Sequence, residues 1–363
     1  MAVVLLILGI LMFIGLVVFH EWGHFIAARR NGVDIEEFGI GFPPRAWARK
    51  TKGGFEFSLN WLPIGGFVRM KGENDAASEK GSFGAASLSA KAKIMLAGVT
   101  MNLLAAFVIF TALAWVGMPQ LLENQYAVKS DTKVVHRELL VGYVQDGSPA
   151  AKAGLHVRDK LVSLGGQQVS SAQQLPAYTK QHAGQTVPVV YERDGNALTT
   201  NVHLRTDKEA KGTAYLGLSP TEYTLTRATW SAPVQSLGLM WQFTTATFKG
   251  IGVAIGALFQ GDTATASEQV SGPVGIIVVL HDGSLLGYQF VLLIIGAISL
   301  SLAIMNVLPI PALDGGRFYV LLLSRLFGKK LSQEMEERIV GASFVFLLLL
   351  IVLITIVDVK RFF

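Results

Sequence analysis

The sequence predicts an α-helical polytopic membrane protein with four transmembrane helices, a membrane-associated β-hairpin and one inserted α+β domain. Three observations predict it. Hydrophobic residues make up 51% of the 363 positions and charged residues only 16%, and the mean hydropathy of +0.45 is too high for an ordinary soluble enzyme of this length. Four apolar stretches are long enough to cross a hydrocarbon core of about 30 Å. The long segment between the second and third stretches instead breaks into short apolar runs separated by Gly- and Pro-containing turns.

The first span covers residues 2–28 and opens with eighteen residues, 2–19, that carry no formal charge. It resembles a signal peptide only superficially. It lacks a basic start and a small-residue cleavage site, so an uncleaved span is expected. The second span, 94–117, holds only Asn102 and a few Thr as polar residues. The third, 287–308, runs into a Pro-broken stretch, and the fourth is 339–357. A further candidate, 236–259, contains Lys249, Gln242 and several Thr. That weak hydrophobicity suits an interfacial amphipathic helix better than a span.

Charge gives the orientation. Arg29, Arg30, Lys50, Arg69 and Lys93 lie between the first two spans, and Arg317, Arg325, Lys329, Lys330 and Arg338 between the last two. Basic residues collect in cytoplasmic connections, so both termini and the segment 118–286 face the other side. The net charge of +5 is modest and sits beside apolar segments. It reads as topology and contact with lipid headgroups, not as nucleic-acid binding. With no Cys in the chain, disulfides and thiolate metal ligands are excluded, so any zinc must be held by His and carboxylates.

Within the first connection, residues 55–61 read as a strand, 63–66 as a break holding two Gly, and 67–70 as a returning strand. Its aromatic residues allow it to dip into the interface; a solvated hairpin without function is the alternative. In the inserted segment, 139–144 is a strand, and Ser148-Pro149 opens a short helix that Gly154 ends. Residues 159–166 form a strand and turn, 171–180 a helix, 187–191 a strand, 193–195 a turn and 200–204 a last strand. This order closely resembles a bacterial PDZ domain, in which an extended peptide can add a strand beside a groove. The divisions expected are 1–117, 118–225 for the PDZ-like domain, 226–286 as linker with the amphipathic helix, and 287–363.

His20-Glu21-Trp22-Gly23-His24 closes the first span. Two His at i and i+4 share one helix face and can bind Zn²⁺, with the Glu between them placed as general base. Two ligands make a poor site, and Asn306-Val307-Leu308-Pro309-Ile310-Pro311-Ala312-Leu313-Asp314-Gly315-Gly316 supplies a candidate third. Pro309 and Pro311 must unwind the helix, which at membrane depth is tolerated only inside protein or beside a wet cavity. Asp314 follows that break and can turn toward a metal. Its alternative is an interfacial helix cap.

Together these motifs resemble the site-2 protease family of intramembrane zinc metalloproteases, and most closely its bacterial RseP/RasP group, over nearly the whole chain. Gly98 and Asn102 match the glycine-and-asparagine motif of the second span. Residues 38–42 resemble the Gly-Phe-Gly loop after the zinc motif, the 55–70 hairpin the substrate-pairing β element, and 271–275 the loop before the third span. The departures are Trp22 where Phe is common and a single PDZ where RseP has two. The resemblance implies that His20, His24 and Asp314 hold Zn²⁺ and that Glu21 activates water. Asn306 and Asn102 would bind substrate backbone exposed by local unwinding, with Phe67, Val68 and Arg69 of the hairpin adding main-chain bonds.

The implied substrates are single-pass membrane proteins, such as anti-sigma factors and remnant signal peptides, cut in regulated intramembrane proteolysis after an upstream site-1 type protease has shortened them. The setting is the bacterial inner membrane, with the PDZ outside as a size filter and the active site near the cytoplasmic side. Two readings compete. A transporter also uses broken helices and buried carboxylates, but four unrepeated spans offer no inverted repeat. A catalytically silent zinc scaffold binding partners through the PDZ would have no use for Glu21.

Overall fold

The computed structural model describes every residue except 123, 194, 211–213 and 329–331, and at 63 and 64 it describes the backbone alone. Asp194 of the expected 193–195 turn, and Lys329 and Lys330 of the second basic connection, therefore lie outside the described residues. The chain forms two compact units, one of residues 1–113 and 232–363, the other of residues 114–231.

The first unit begins with α1 (Ala2–Arg30), followed by β1 (Ile35–Lys50), β2 (Glu56–Met70), α2 (Leu88–Met95) and α3 (Ala97–Val116). In α1 an apolar sequence all round needs lipid on most sides. Only Gly9, Leu16, His20, Gly23, His24 and Ala28 are buried, and they trace one helix face. Ser87 caps α2 through its hydroxyl, which accepts from the Ala90 N–H. After a turn at Leu96, α3 continues α2 as one apolar stretch, Leu88–Val116.

The connection does form an antiparallel hairpin, with strands other than those expected. Residues 55–61 and 67–70 do not pair with each other; they are the two ends of β2, which pairs antiparallel with β1. Phe38 lies opposite both Val68 and Phe57, and Gly39 opposite both Phe67 and Ser58, so the start of β1 sits between the two arms of a folded β2. The turn is at residues 51–54, where Gly54 has φ +86°. β2 runs on from Glu56 to Met70, and the side chains of Pro63 and Ile64 in the expected 63–66 break lie outside the described residues. By the same pairing, residues 38–42 are strand and not a loop. The local sequence misleads here because the two Gly that suggest a turn, Gly65 and Gly66, lie inside β2, where Gly66 pairs with Ile40.

The second unit holds β3 (Met118–Pro119), β4 (Lys133–Val144), α4 (Pro149–Lys152), β5 (Lys160–Leu164), β6 (Gln167–Gln168), α5 (Gln174–Gln181), β7 (Thr186–Arg193), β8 (Asn196–His203), α6 (Asp207–Ala210) and β9 (Leu218–Arg227). Its antiparallel sheet has the order β3-β9-β4-β5-β7-β8, with β6 against β5. Leu139, Val141, Leu155, Leu161, Leu164, Val189, Val202 and Leu204 fill the core between sheet and helices. As expected, Ser148 caps α4 and Pro149 is its first residue. β9 is not legible as a strand because Thr, Ser and Glu occupy half of it; it pairs along β4 from Lys133 to Val144.

The first unit then resumes with α7 (Ala232–Phe259), α8 (Thr263–Glu268), α9 (Pro273–Leu286), α10 (Tyr288–Val307), α11 (Asp314–Leu326) and α12 (Gln333–Phe362). The segment 226–286, expected as a linker with an amphipathic helix, holds the helices α7, α8 and α9. Its α9 buries Leu280 against Leu16, Val291 and Ile295, closing a core between α1, α9 and α10. Residues 271–275 are the entry to that helix, and Asp358 from α12 accepts from the Gly272 and Gly275 N–H groups there. Among the described residues, four helices are long and apolar enough to cross a membrane: α1, the α2–α3 stretch, α10 and α12. α7 is not one of them.

Candidate metal centre

Two Gly bring α3 against α1. A Cβ on Gly98 would lie 2.5 Å from both His20 Cε1 and His24 Nε2, and one on Gly23 would lie 2.7 Å from the Ala97 carbonyl oxygen. Only hydrogen at these positions permits that approach. Trp22, the variable position of the motif, faces outward and is 46% exposed. His20 and His24 are thereby buried, with their Nε2 atoms 3.2 Å apart.

The third group arrives from the far end of the chain. α10 stops at Leu308, whose backbone is extended. The chain doubles back so tightly that any side chain on Gly316 would run into the Ile310 carbonyl, and one on Gly315 would lie 2.5 Å from the Asn306 carbonyl oxygen. Asp314 then opens α11, its Oδ2 3.1 Å from His20 Nε2 and 3.1 Å from His24 Nε2. Among the described residues, His20, His24 and Asp314 are the one group whose ligand atoms converge in the manner a metal requires.

The triangle fits zinc. Tetrahedral bonds of about 2.0–2.1 Å put ligand atoms about 3.3 Å apart, close to the edges observed, and leave a fourth position open. The outer contacts fit as well. His24 Nδ1 lies 2.8 Å from the Ile94 carbonyl, which can only accept, so the ring proton is on Nδ1 and Nε2 is free to bind. His20 Nδ1 lies 3.1 Å from the Asn102 side-chain amide.

A cavity of about 90 Å³ adjoins the triangle, lined by Glu21, His24, Val68, Glu73, Asp314 and Arg317 among others. Arg317 donates to Glu73 Oε1 at 2.7 Å across its wall. Neither Glu73 nor Arg317 was singled out in the sequence, although Arg317 follows Asp314 by one helical turn, a spacing that puts both on one face.

The residues expected to contact substrate divide. Asn102 is buried and bonded toward His20, not toward open space, because α3 rotates it into the α1 interface; its own carbonyl accepts from Ser299 on α10. Asn306 donates to the Leu302 carbonyl within α10 and is half-buried. Val68 lines the cavity, Phe67 covers Gly39, and Arg69 pairs with Glu36 and Glu37. Gly66, where the strand begins its last arm, lies beside the Glu21 side chain, a Cβ there being 3.4 Å from Glu21 Cγ.

The profile of Peptidase family M50 matches residues 8–350. The chain belongs to peptidase family M50. This M50 peptidase is 30% identical over 356 residues to a Clostridium perfringens protein whose name places it among the zinc metalloproteases, covering 98% of both chains. It is 26% identical over 432 residues to the zinc metalloprotease RasP of Shouchella clausii, covering 96% of this chain and 97% of that one. A crystal structure of the PDZ domain of an SdrC-like protein from Listeria monocytogenes is 27% identical, covers 24% of this chain and 93% of that one, and has a TM-score of 0.22. The M50 peptidase is thus a zinc metalloprotease, its cofactor is Zn²⁺, and its four apolar helices make it a membrane protein.

Proposed function

We propose that the protein hydrolyses peptide bonds within or near the transmembrane segments of single-pass membrane proteins, with Zn²⁺ held by His20, His24 and Asp314. The observation that carries this is the convergence of those three side chains within 4.8 Å of one another, two of them from a membrane-spanning helix. Bound Zn²⁺ supplies Lewis acidity toward the scissile carbonyl and toward water. Glu21, facing the same cavity, takes the proton from the attacking water and returns it to the leaving nitrogen. Burial of the triangle excludes bulk water and strengthens the field of these groups.

A transmembrane helix hides its carbonyls in i to i−4 bonds and must be opened before attack. The arm of β2 from Gly66 to Met70 pairs with β1 on one side and, among the described residues, with no strand on the other. Gly66 lies beside Glu21, so a substrate strand added to that edge would present its backbone to the base. This keeps a role for Phe67, Val68 and Arg69 through main-chain bonds, while the half-buried Asn306 remains available at the end of α10. Trp47 and Trp61 are exposed on the ribbon, as expected of an element that touches the interface. The basic first connection supports a cytoplasmic position for these elements in a bacterial membrane. The unit of residues 114–231 then lies outside as the PDZ-like filter for substrates already shortened by another protease.

The test pairs purified wild type with Glu21→Gln on a tagged single-pass substrate lacking its ectodomain, with zinc content measured on both. The variant is expected to keep zinc and lose about 10²–10⁴-fold in cleavage rate. Cleavage unchanged in a zinc-loaded Glu21→Gln enzyme refutes the base, and a wild type inert on several such substrates favours the silent scaffold.

A further inference from the structure

Resting on the reading that His20, His24 and Asp314 hold the metal, we infer that Asn102 is a positioning residue for that centre. Its side-chain oxygen accepts the Nδ1 proton of His20, fixing the tautomer and ring orientation that present Nε2 to Zn²⁺.

Four observations lead there. A neutral histidine that binds through Nε2 carries its proton on Nδ1 and needs an acceptor at that atom. His24 has one in the Ile94 carbonyl at 2.8 Å. For His20 the group in that place is the Asn102 amide, 3.1 Å away and 1% exposed. The amide's Oδ1 is buried without a hydrogen-bond partner, the nitrogen being the atom turned to His20.

Oxygen and nitrogen of an amide exchange by a half-turn of the side chain, with no change of shape. With Oδ1 toward Nδ1, His20 and His24 become equivalent: each donates outward and each offers a bare Nε2 to the triangle. With the nitrogen toward Nδ1, the proton of His20 would sit on Nε2, in the middle of the triangle, where it bars a metal. The half-turn leaves Nδ2 in the place Oδ1 held, so the gain lies in the match to His20.

The backbone holds Asn102 at this point. Ser299 Oγ donates to its carbonyl at 2.8 Å, tying α3 to the helix that leads to the Asp314 break. Gly98, one turn earlier, gives both imidazoles their room. Gly98 and Asn102 thus act as one device: the first admits the two rings, the second orients one of them. Substrate contact, which the sequence suggested for Asn102, has no access to a side chain buried in this way.

The experiment measures zinc affinity of the full-length protein in detergent by competition with a chromophoric chelator, and records the visible spectrum of the Co²⁺ form. Asn102→Ala is expected to bind zinc about 10–100-fold more weakly and to shift the Co²⁺ bands. Asn102→Asp, which still accepts and cannot donate from a carboxylate, is expected to stay near wild type in both. Two results overturn the inference: Asn102→Ala with wild-type zinc affinity and only a raised KM, or Asn102→Asp as weak as Asn102→Ala. His24→Ala separates the two readings. If it keeps zinc, the ligand assignment itself has failed; if it loses zinc while Asn102→Ala does not, only the positioning role has. Should Asn102→Ala not accumulate, the ¹⁵N spectrum of zinc-loaded wild type decides, since a protonated His20 Nδ1 supports the inference and an unprotonated one overturns it.

Discussion

Gly98→Ala tests most sharply how α3 builds the metal centre. The added methyl would stand 2.5 Å from His20 Cε1 and from His24 Nε2, about 0.9 Å short of the 3.4 Å at which ordinary contact begins. Both obstacles belong to the imidazole rings of the triangle, and the Nδ1 atoms of His24 and His20 are tethered to Ile94 and Asn102. Neither ring can yield without loosening a tether, so α3 and α1 must separate or the ligand atoms must move. A forced methyl in a packed interface costs about 1–3 kcal/mol. Displacing two ligand atoms by roughly half a bond length should cost more than tenfold in zinc affinity, on the scale of losing an orienting contact. Gly15→Ala is the control: it lies on the same α1 with nothing within 4 Å of the new methyl, and should leave zinc affinity unchanged. The assay is chelator competition with a thermal melt on the same samples. Gly98→Ala with wild-type zinc affinity would refute the close-approach argument.

Two other outcomes follow from the unit of residues 114–231. Asp159 is buried and holds Arg193 through both oxygens at 2.7 Å, while also accepting from the His156 N–H. Asp159→Ala should destabilise that unit by about 3 kcal/mol, read as a lowered denaturation midpoint, because it strands a guanidinium built for a carboxylate; zinc content should not change. Asp131 accepts hydroxyl and backbone bonds from Ser231 and Thr229, and these hold its carboxyl below the usual carboxylate range, Ser231 contributing most. A depressed carboxyl stabilises above its unfolded pKa of about 3.9 and loses that contribution as pH falls through the folded value. Hydrogen exchange at the Thr229 and Ser231 amides, corrected for intrinsic rate, should therefore stay slow at pH 5 and quicken only in stronger acid. Asp131→Asn should be quick at both pH values, and equal protection in variant and wild type would contradict this.

Much of this protein is legible in one dimension because the membrane imposes long-range rules on local sequence. A helix in lipid must satisfy its backbone internally and expose apolar side chains, so α1, α3, α10 and α12 announce themselves by composition alone. His20, Glu21 and His24 are legible because one helix turn fixes their mutual geometry. Asp314 is legible because Pro309 and Pro311 forbid helix before it. Chain distance did not obscure these, since each follows from a local constraint.

What the sequence left undecided is wherever two segments choose each other. The β2 strand reads locally as a hairpin; only pairing with β1 on both of its arms shows that Gly65 and Gly66 are internal to one strand. The polar β9 becomes a strand because β4 offers it a full ladder of hydrogen bonds. α9, lying in what reads as linker, is structural because Leu280 finds Leu16 and Ile295. Asn102 shows the limit most plainly. Its sequence states that a polar amide lies at membrane depth, which is costly unless paired. Whether it serves substrate or metal depends on how α3 is rotated against α1, and that rotation is set by Gly98 packing on the His20 and His24 rings and Gly23 packing on Ala97. Sequence alone put forward the residues that could carry the chemistry; the tertiary structure decided which way each one faces, because facing is a property of packed pairs of helices.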